Sequence, residues 1–273
     1  MAELPYVFER GHMLTGNIQA LYHYPVKGLT AQRLDHVRLN PAQGFPFDRE
    51  FGFARHDSGY DPNAYKPLPK TRFLMLMMDE RLAGLESHFD TETWQLSLHV
   101  QGKPLMAADL STQEGRQETE TFFARMFDMA ADEMPRFVHA APHRFTDVSV
   151  ASEALMNAVS LININSVKAF GEKIDQEIDP MRFRGNILFD GWPPFSELDL
   201  VGKEIRIGDA RAKVTLRTRR CAATEVNPKT VKRDLPLPRL LVQHYGHADM
   251  GVYAEIEAGG EIEPGAPIRC EGV

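Results

Sequence analysis

Cysteine is scarce: Cys221 and Cys270 are the only two among 273 residues. Two thiols cannot furnish an iron–sulfur cluster, which takes about four ligands. No CxxC or HxxxH spacing near either one supports a zinc site, and a reducing cytoplasm disfavours a disulfide between them. Long apolar runs are lacking as well. Nothing approaches the roughly eighteen consecutive apolar residues of a membrane-spanning helix, and the stretch Met1 to Thr15, with Glu3, Pro5, Glu9, Arg10 and His12, has no signal-peptide core. The expectation is a cytoplasmic protein without a membrane partner. Positive charge is in deficit: 31 Lys and Arg stand against 38 Asp and Glu, a net charge of −7. That argues against a sequence-independent grip on nucleic acid, which needs a dense basic field. No GxSxG, HExxH, Walker A or GxGxxG pattern occurs, so no motif supports a hydrolase elbow, a zincin or a nucleotide cofactor.

Hydrophobic residues make up 43% of the chain, enough to bury a real core in one large domain or two ordinary ones. Short β segments are expected at 17–24, 34–39, 50–55 and 94–100, bounded by Pro25, Gly28, Pro41, Gly44 and Gly102. The run 73–87 reads as a strand, Phe73 to Met77, feeding a short helix from Asp79, with its Met and Leu stripe as core. Phe122, Phe123, Met126 and Phe127 at helical spacing predict a junction helix within 111–132, and a second helix is expected over 164–172. Strands follow at 184–189, 204–207, 212–217 and 251–256. The fold class is therefore mainly β with a few helices (α+β), with no internal repeat and no low-complexity linker, so any two lobes pack closely.

Cys221 has the strongest chemical claim, because it follows Arg219 and Arg220, and adjacent cations favour a thiolate, the form that acts as nucleophile or metal ligand. The plainer alternative is a small buried hydrophobe, and for Cys270, beside Arg269 near the chain end, that alternative prevails. Arg182, Arg184 and Asn186, read as alternate positions on one strand, would present a fork of donors to an oxyanion; surface ion pairing is equally open. Lys27, at the turn Tyr24-Pro-Val-Lys27-Gly28, could face an anion, while Asp48 and Arg49 could be a local ion pair of little weight. His244, His247 and Asp249 lack a metalloenzyme context.

Taken in order, these pieces resemble a known family in which an N-terminal β-barrel domain precedes a MOSC domain. The first is marked by a YPxKS-like turn and a G(x)nDRxW-like segment, matched by Tyr24-Pro-Val-Lys27-Gly28 and by Gly44 to Phe51. The second is marked by an RFRPN strand, a downstream acid, an IGD turn, an RC(x)nT(x)nP segment and an FGxY-like strand. Here these read Arg182 to Asn186, Glu197, Ile207-Gly208-Asp209, Arg220-Cys221 through Thr224 to Pro228, and Gly251-Val-Tyr253. Gly28 stands where Ser is usual, removing a hydroxyl donor, and Gly185 replaces Pro, which would loosen the strand.

The resemblance implies an N-terminal β-barrel-like domain over 16–105 packed on a MOSC β-barrel domain over 106–273, with the junction helix at about 112–132. It implies a molybdenum cofactor, a molybdopterin, with Cys221 as metal ligand and catalytic residue and Lys27, Arg49, Ser166, Arg182, Arg184, Asn186 and Arg220 as its binding residues. Similarity to the amidoxime-reducing component family implies an oxidoreductase that reduces small N-hydroxylated substrates. Its electrons would come from a separate ferredoxin-like, flavodoxin-like or cytochrome donor. Two other roles fit the same fold: a sulfur carrier or sulfurtransferase working through a Cys221 persulfide, and a non-enzymatic carrier of the cofactor. The pyridoxal-phosphate desulfurase domain of some relatives is absent, so no pyridoxal phosphate is expected in this chain.

Overall fold

Strand alternation at the start of the chain sets the architecture. The computed structural model describes residues 13–271, apart from the side chains of residues 153 and 154; most of the N-terminal stretch read for targeting signals lies outside that range. Strand β1 (Leu14–His23) buries every second side chain until a bulge between Ile18 and Ala20 shifts its register. Leu21 then faces the same core as Leu14 and Ile18, while Ala20 joins a different cluster.

Six further strands complete a closed barrel with β1: β2 (Val159–Asn163), β3 (Ile187–Asp190), β4 (Glu204–Ile207), β5 (Ala210–Arg219), β6 (Asp249–Ala258) and β7 (Pro267–Cys270). Around the ring the order is β3, β2, β6, β5, β4, β7, β1, and β1 returns to β3 through Leu21 opposite Ile187. Only β2 and β3 run parallel, and the helix Ile164–Lys173 makes their crossover. Closure leaves no free edge among the seven strands. Inward residues such as Ile18, Leu161, Phe189, Val214, Ala254 and Ile268 form one core, and Cys270 belongs to it at 1% exposure.

Ahead of the barrel's second strand the chain builds a lobe of small antiparallel sheets. Strands 86–89, 95–100 and 103–109 form one, and 51–54 pairs with 136–139 in another. Helix α1 (Gln113–Met126) packs on them, with Phe123 4.6 Å from Phe53 between ring centres. The helix is shorter than the 111–132 expected: Thr112 accepts the Gly115 N–H to cap its start, and Asp128, at φ 54°, turns the chain away after its end. Helices α2 (Ile164–Lys173) and α3 (Leu237–Tyr245) cover the outer face of the barrel through Val167, Phe170, Leu237 and Leu241.

Three local expectations are corrected. Phe73 to Met77 is not a strand; Phe73 makes one isolated bridge to Ala54, and the chain then turns as Met78 N–H donates to Met75 O. Its side chains from Phe73 to Leu76 are buried one after another between neighbouring elements, but the turn after Met75 leaves the backbone no partner strand to continue along. The helix expected from Asp79 is a single 3-10 turn, Glu80–Gly84, capped by Asp79. The segment 182–186 is not a strand either. Pro180–Phe183 is a 3-10 turn capped by Asp179, Arg184 is left-handed at φ 51°, and β3 begins only at Ile187.

Candidate functional site

A cleft of about 500 Å³ lies where the first lobe meets the barrel, and Lys27, Arg49, Arg182, Arg184, Asn186, Arg220 and Cys221 all line it. Eight Lys and Arg side chains face it against three Asp. In a protein of net charge −7 this is a pronounced local concentration of positive charge, which low-dielectric walls strengthen.

Cys221 follows the end of β5 and opens a 3-10 turn, where its carbonyl accepts the Thr224 N–H at 3.0 Å. It is a half-buried free thiol, not part of an apolar core. The cation beside its sulfur is not one of the flanking arginines. Lys70, 151 positions away in sequence, places Nζ 3.1 Å from Cys221 Sγ and 3.0 Å from Asp147 Oδ2. Lys27 Nζ, in turn, donates to Asp147 Oδ1 at 2.7 Å and to Phe145 O at 2.8 Å. The result is a continuous line from Lys27 through Asp147 and Lys70 to the sulfur. Burial pushes Lys27 below the usual lysine range even though Asp147 pulls it up. Burial also opposes charge on Asp147 and Lys70, but here the partners win: the two ammonium groups hold the carboxyl low, and Asp147 and Cys221 hold Lys70 high. The Asp147 side chain keeps 45% of its surface exposed, with its carboxylate oxygens engaged by the two lysines.

Arg49 and Arg184 lie against the ring of Tyr24, each 4.3 Å from its centroid. Arg49 bonds Asp48 at 2.5 Å and Arg184 O at 3.0 Å, while Arg184 donates to Leu29 O. Burial lowers Arg184 and Arg220 to about 10, which still leaves both cationic at neutral pH. Arg220 is spent on the walls, donating to Phe183 O and Met250 O, and Arg182 holds Asp234 through two bonds of 2.7 and 2.8 Å. Asn186 likewise ties β1 to β2, from Nδ2 to Tyr22 O and from Ser160 N–H to its Oδ1. These three therefore shape the cleft more than they offer it free donors.

Ser166 is not brought to the cleft. Its hydroxyl is fully buried, donating to Glu197 at 2.8 Å and accepting the Phe195 N–H, so it fastens α2 to the turn at 193–200. His247 and Asp249 interact locally, with ring and carboxylate 3.9 Å apart. Lys70 and Asp147 carried no sequence signal, because Lys70 opens a short 3-10 turn and Asp147 sits in another turn, and only the fold joins them beside Cys221.

The two unusual glycines have steric causes. Gly28 adopts φ +87°, and a Cβ there would meet Leu74 O at 2.7 Å. A Cβ on Gly185 would meet the Ile162 side chain at 2.4 Å, so this glycine permits close packing rather than loosening a strand.

Glu197 offers a pH-linked test of the α2 anchor. Burial raises it to about 7 from the usual 4.5, against the opposing hydrogen bonds from Ser166 and Asn163. An acid whose folded pKa is raised contributes its full stability below 4.5 and loses it as pH rises towards 7. Stability is expected to fall between those values by up to the order of 3 kcal/mol. Denaturant midpoints across that range should show the slope in the parent and a flatter profile in Glu197→Gln; parallel profiles would exclude Glu197 as the titrating group.

The cleft suits an anionic, sulfur-seeking group. Arg182 Nε, Ser160 Oγ and Thr218 Oγ1, all from lining residues, are buried without a hydrogen-bond partner. Among the described residues no three His, Cys, Asp or Glu side chains gather as a chelate. A metal here would take one sulfur from Cys221 and its remaining ligands from the group that carries it.

Residues 15–141 match the profile of the MOSC N-terminal beta barrel domain, and residues 138–269 match that of the MOSC domain. Among curated proteins, a molybdenum cofactor sulfurase of Caenorhabditis briggsae is 24% identical over 264 residues, 91% of this chain and 35% of the relative. Mitochondrial amidoxime-reducing component 1 of Xenopus laevis is 27% identical over 191 residues, 63% of this chain and 55% of the relative. The chain thus aligns with about a third to just over half the length of these curated relatives. Among solved structures, the YuaD protein of Bacillus subtilis superposes with a TM-score of 0.46 and 14% identity, covering 96% of this chain and 99% of that one. No helix among the described residues is long and apolar enough to cross a membrane.

Proposed function

This chain belongs to the MOSC family, with the MOSC N-terminal beta barrel domain preceding the MOSC domain, and from that premise we propose that it binds a molybdenum cofactor in the interlobe cleft and works as an oxidoreductase. The observation that carries the reading is Cys221: an accessible sulfur with a cation at 3.1 Å, at the edge of a cleft rich in guanidinium and ammonium groups. When bound, the cofactor supplies the two-electron redox couple and the soft metal that a thiolate prefers.

The protein's own contribution is position and charge. Cys221 supplies the metal ligand. Lys27, Lys70, Arg49 and Arg184 offer the cationic environment for the cofactor's phosphate and for negative charge on the sulfur, and Arg182, Asn186 and Arg220 hold the walls in place. The substrate class is small N-hydroxylated compounds, in keeping with the amidoxime-reducing relative. The N–O bond breaks, two electrons and two protons are taken up, and the N–H product and water leave. The electrons come from a separate ferredoxin-like, flavodoxin-like or cytochrome donor, since Cys270 is locked in the barrel core and Cys221 is engaged at the cleft.

A second reading makes Cys221 a persulfide carrier, favoured by the sulfurase relatives and by Lys70, which would stabilise the terminal sulfur's charge. A third leaves the protein a cofactor carrier without turnover. Elemental analysis and pterin fluorescence on protein from a cofactor-competent host separate the three. One molybdenum per chain with hydroxylamine reduction is the expected result. Cyanide-labile sulfur on Cys221 without metal would select the carrier of sulfur, and bound cofactor with no reductase activity under any donor would select the third role.

A further inference from the structure

The first lobe holds a second cavity, of about 460 Å³, that shares no lining residue with the cleft. Three arginines, Arg55, Arg116 and Arg136, line it, and no Asp or Glu does. Each comes from a different element. Arg55 follows strand 51–54, Arg136 opens strand 136–139 directly opposite Ala54, and Arg116 stands in the first turn of α1.

The surrounding backbone is built rather than loose. Arg55 N–H donates to Arg72 O at 2.8 Å, Ser58 N–H returns to Arg55 O at 2.9 Å, and Tyr60 Oη donates to His139 O at 3.2 Å, folding the loop back onto the strand pair. Two carboxylates lie nearby without lining the cavity: Asp57 pairs with Arg72 at 3.2 Å, and Glu120, which accepts the Phe137 N–H at 2.7 Å, partly offsets the charge of Arg116 and Arg136. Arg116 gives Nε and Nη2 to the carbonyls of Thr112 and Ser111, which leaves Nη1. Arg55 Nε is buried with no partner at all. A buried guanidinium N–H without an acceptor is rare in native proteins because its desolvation goes uncompensated. Three guanidiniums around an acid-free cavity have one natural counterpart, an oxyanion that accepts from several of them at once.

We propose that this cavity is a second anion site, which binds the phosphoryl group of a small phosphorylated metabolite independently of the cleft. The test uses the full chain, with backbone amide NMR and pyrophosphate as the probe at constant ionic strength, so that general screening is held fixed. Saturable shifts are expected at Gly59 and Val138, two residues that line the cavity. Arg55→Gln should weaken the apparent affinity at these reporters by about tenfold or more, and the exposed Arg136→Gln, which has little folding role, should weaken it in the same direction. Lys27→Gln, in the cleft, should leave them unchanged. Shifts confined to cleft residues, or titrations at Gly59 that both arginine variants leave intact, would overturn the proposal.

Discussion

Replacing Cys221 by serine is expected to abolish cofactor-dependent turnover while leaving the folded protein intact. A serine hydroxyl is a hard, neutral oxygen in place of a polarisable sulfur, and it cannot take the negative charge that Lys70 is placed to stabilise 3.1 Å away. The loss should be at least about a hundredfold, the upper end of what removing a residue that merely supports a ligand produces. Stability should move little, within about 0.5 kcal/mol, because the side chain is only half-buried and donates no structural hydrogen bond. The measurement pairs steady-state reduction of a hydroxylamine with a melting curve and with the molybdenum and pterin content of the purified variant. Unimpaired turnover by Cys221→Ser would remove the sulfur from the chemistry. A collapse of the melting temperature would show instead that the thiol is part of the fold.

Arg144→Ala should produce the largest loss of stability, although Arg144 touches no candidate ligand. Its guanidinium, 7% exposed, donates to the carbonyls of Gln43, Phe45 and Asp48, and its Nε bonds Asn157 Oδ1 at 3.2 Å, with Glu50 3.5 Å away. The loop it grips carries Asp48 and Arg49 into the cleft, and Phe145 N–H donates to Arg49 O at 2.7 Å just beside it. Removing the side chain strands several buried carbonyls and leaves the Glu50 carboxylate short of its counter-charge, a change that costs about 3 to 5 kcal/mol. For a chain of this size that lowers the melting temperature on the order of 10 °C. Arg144→Lys should recover only part of it, since an ammonium cannot serve a fan of carbonyls from one planar group. A variant that melts within about 2 °C of the parent would show that water or neighbouring groups satisfy these carbonyls.

Much of this protein's local structure is written in short patterns. The alternation in β1 and β6, the spacing of Phe122, Phe123 and Met126 on α1, and the turns at Gly28 and Gly102 report hydrophobic period and backbone freedom, which act between near neighbours. Composition alone disfavoured a nucleic-acid grip, an iron–sulfur cluster and a membrane-spanning helix, and ordered short motifs singled out Cys221 and Arg184. The pattern misled where one element serves two surfaces at once. Phe73 to Leu76 are buried in succession, and Arg182 and Arg184 sit on a 3-10 turn and a left-handed residue rather than on alternate positions of a strand.

The sequence by itself determined the mainly β character and several of the segments, among them most of β1, β4 and β6 and the core of α1, which sulfur is available for chemistry, and which classes of partner the charge balance disfavours. Tertiary structure alone decided that β1 closes the barrel against β3, that Lys70, held by Asp147, rather than a flanking arginine stands at the sulfur, that Ser166 anchors a helix away from the cleft, and that Arg144 braces the loop of Arg49. The division has one physical reason. Periodicity and turn chemistry are interactions between residues a few positions apart, whereas a hydrogen bond across 151 positions exists only after burial of two cores has brought its partners together, and neither partner's neighbours in sequence announce the other.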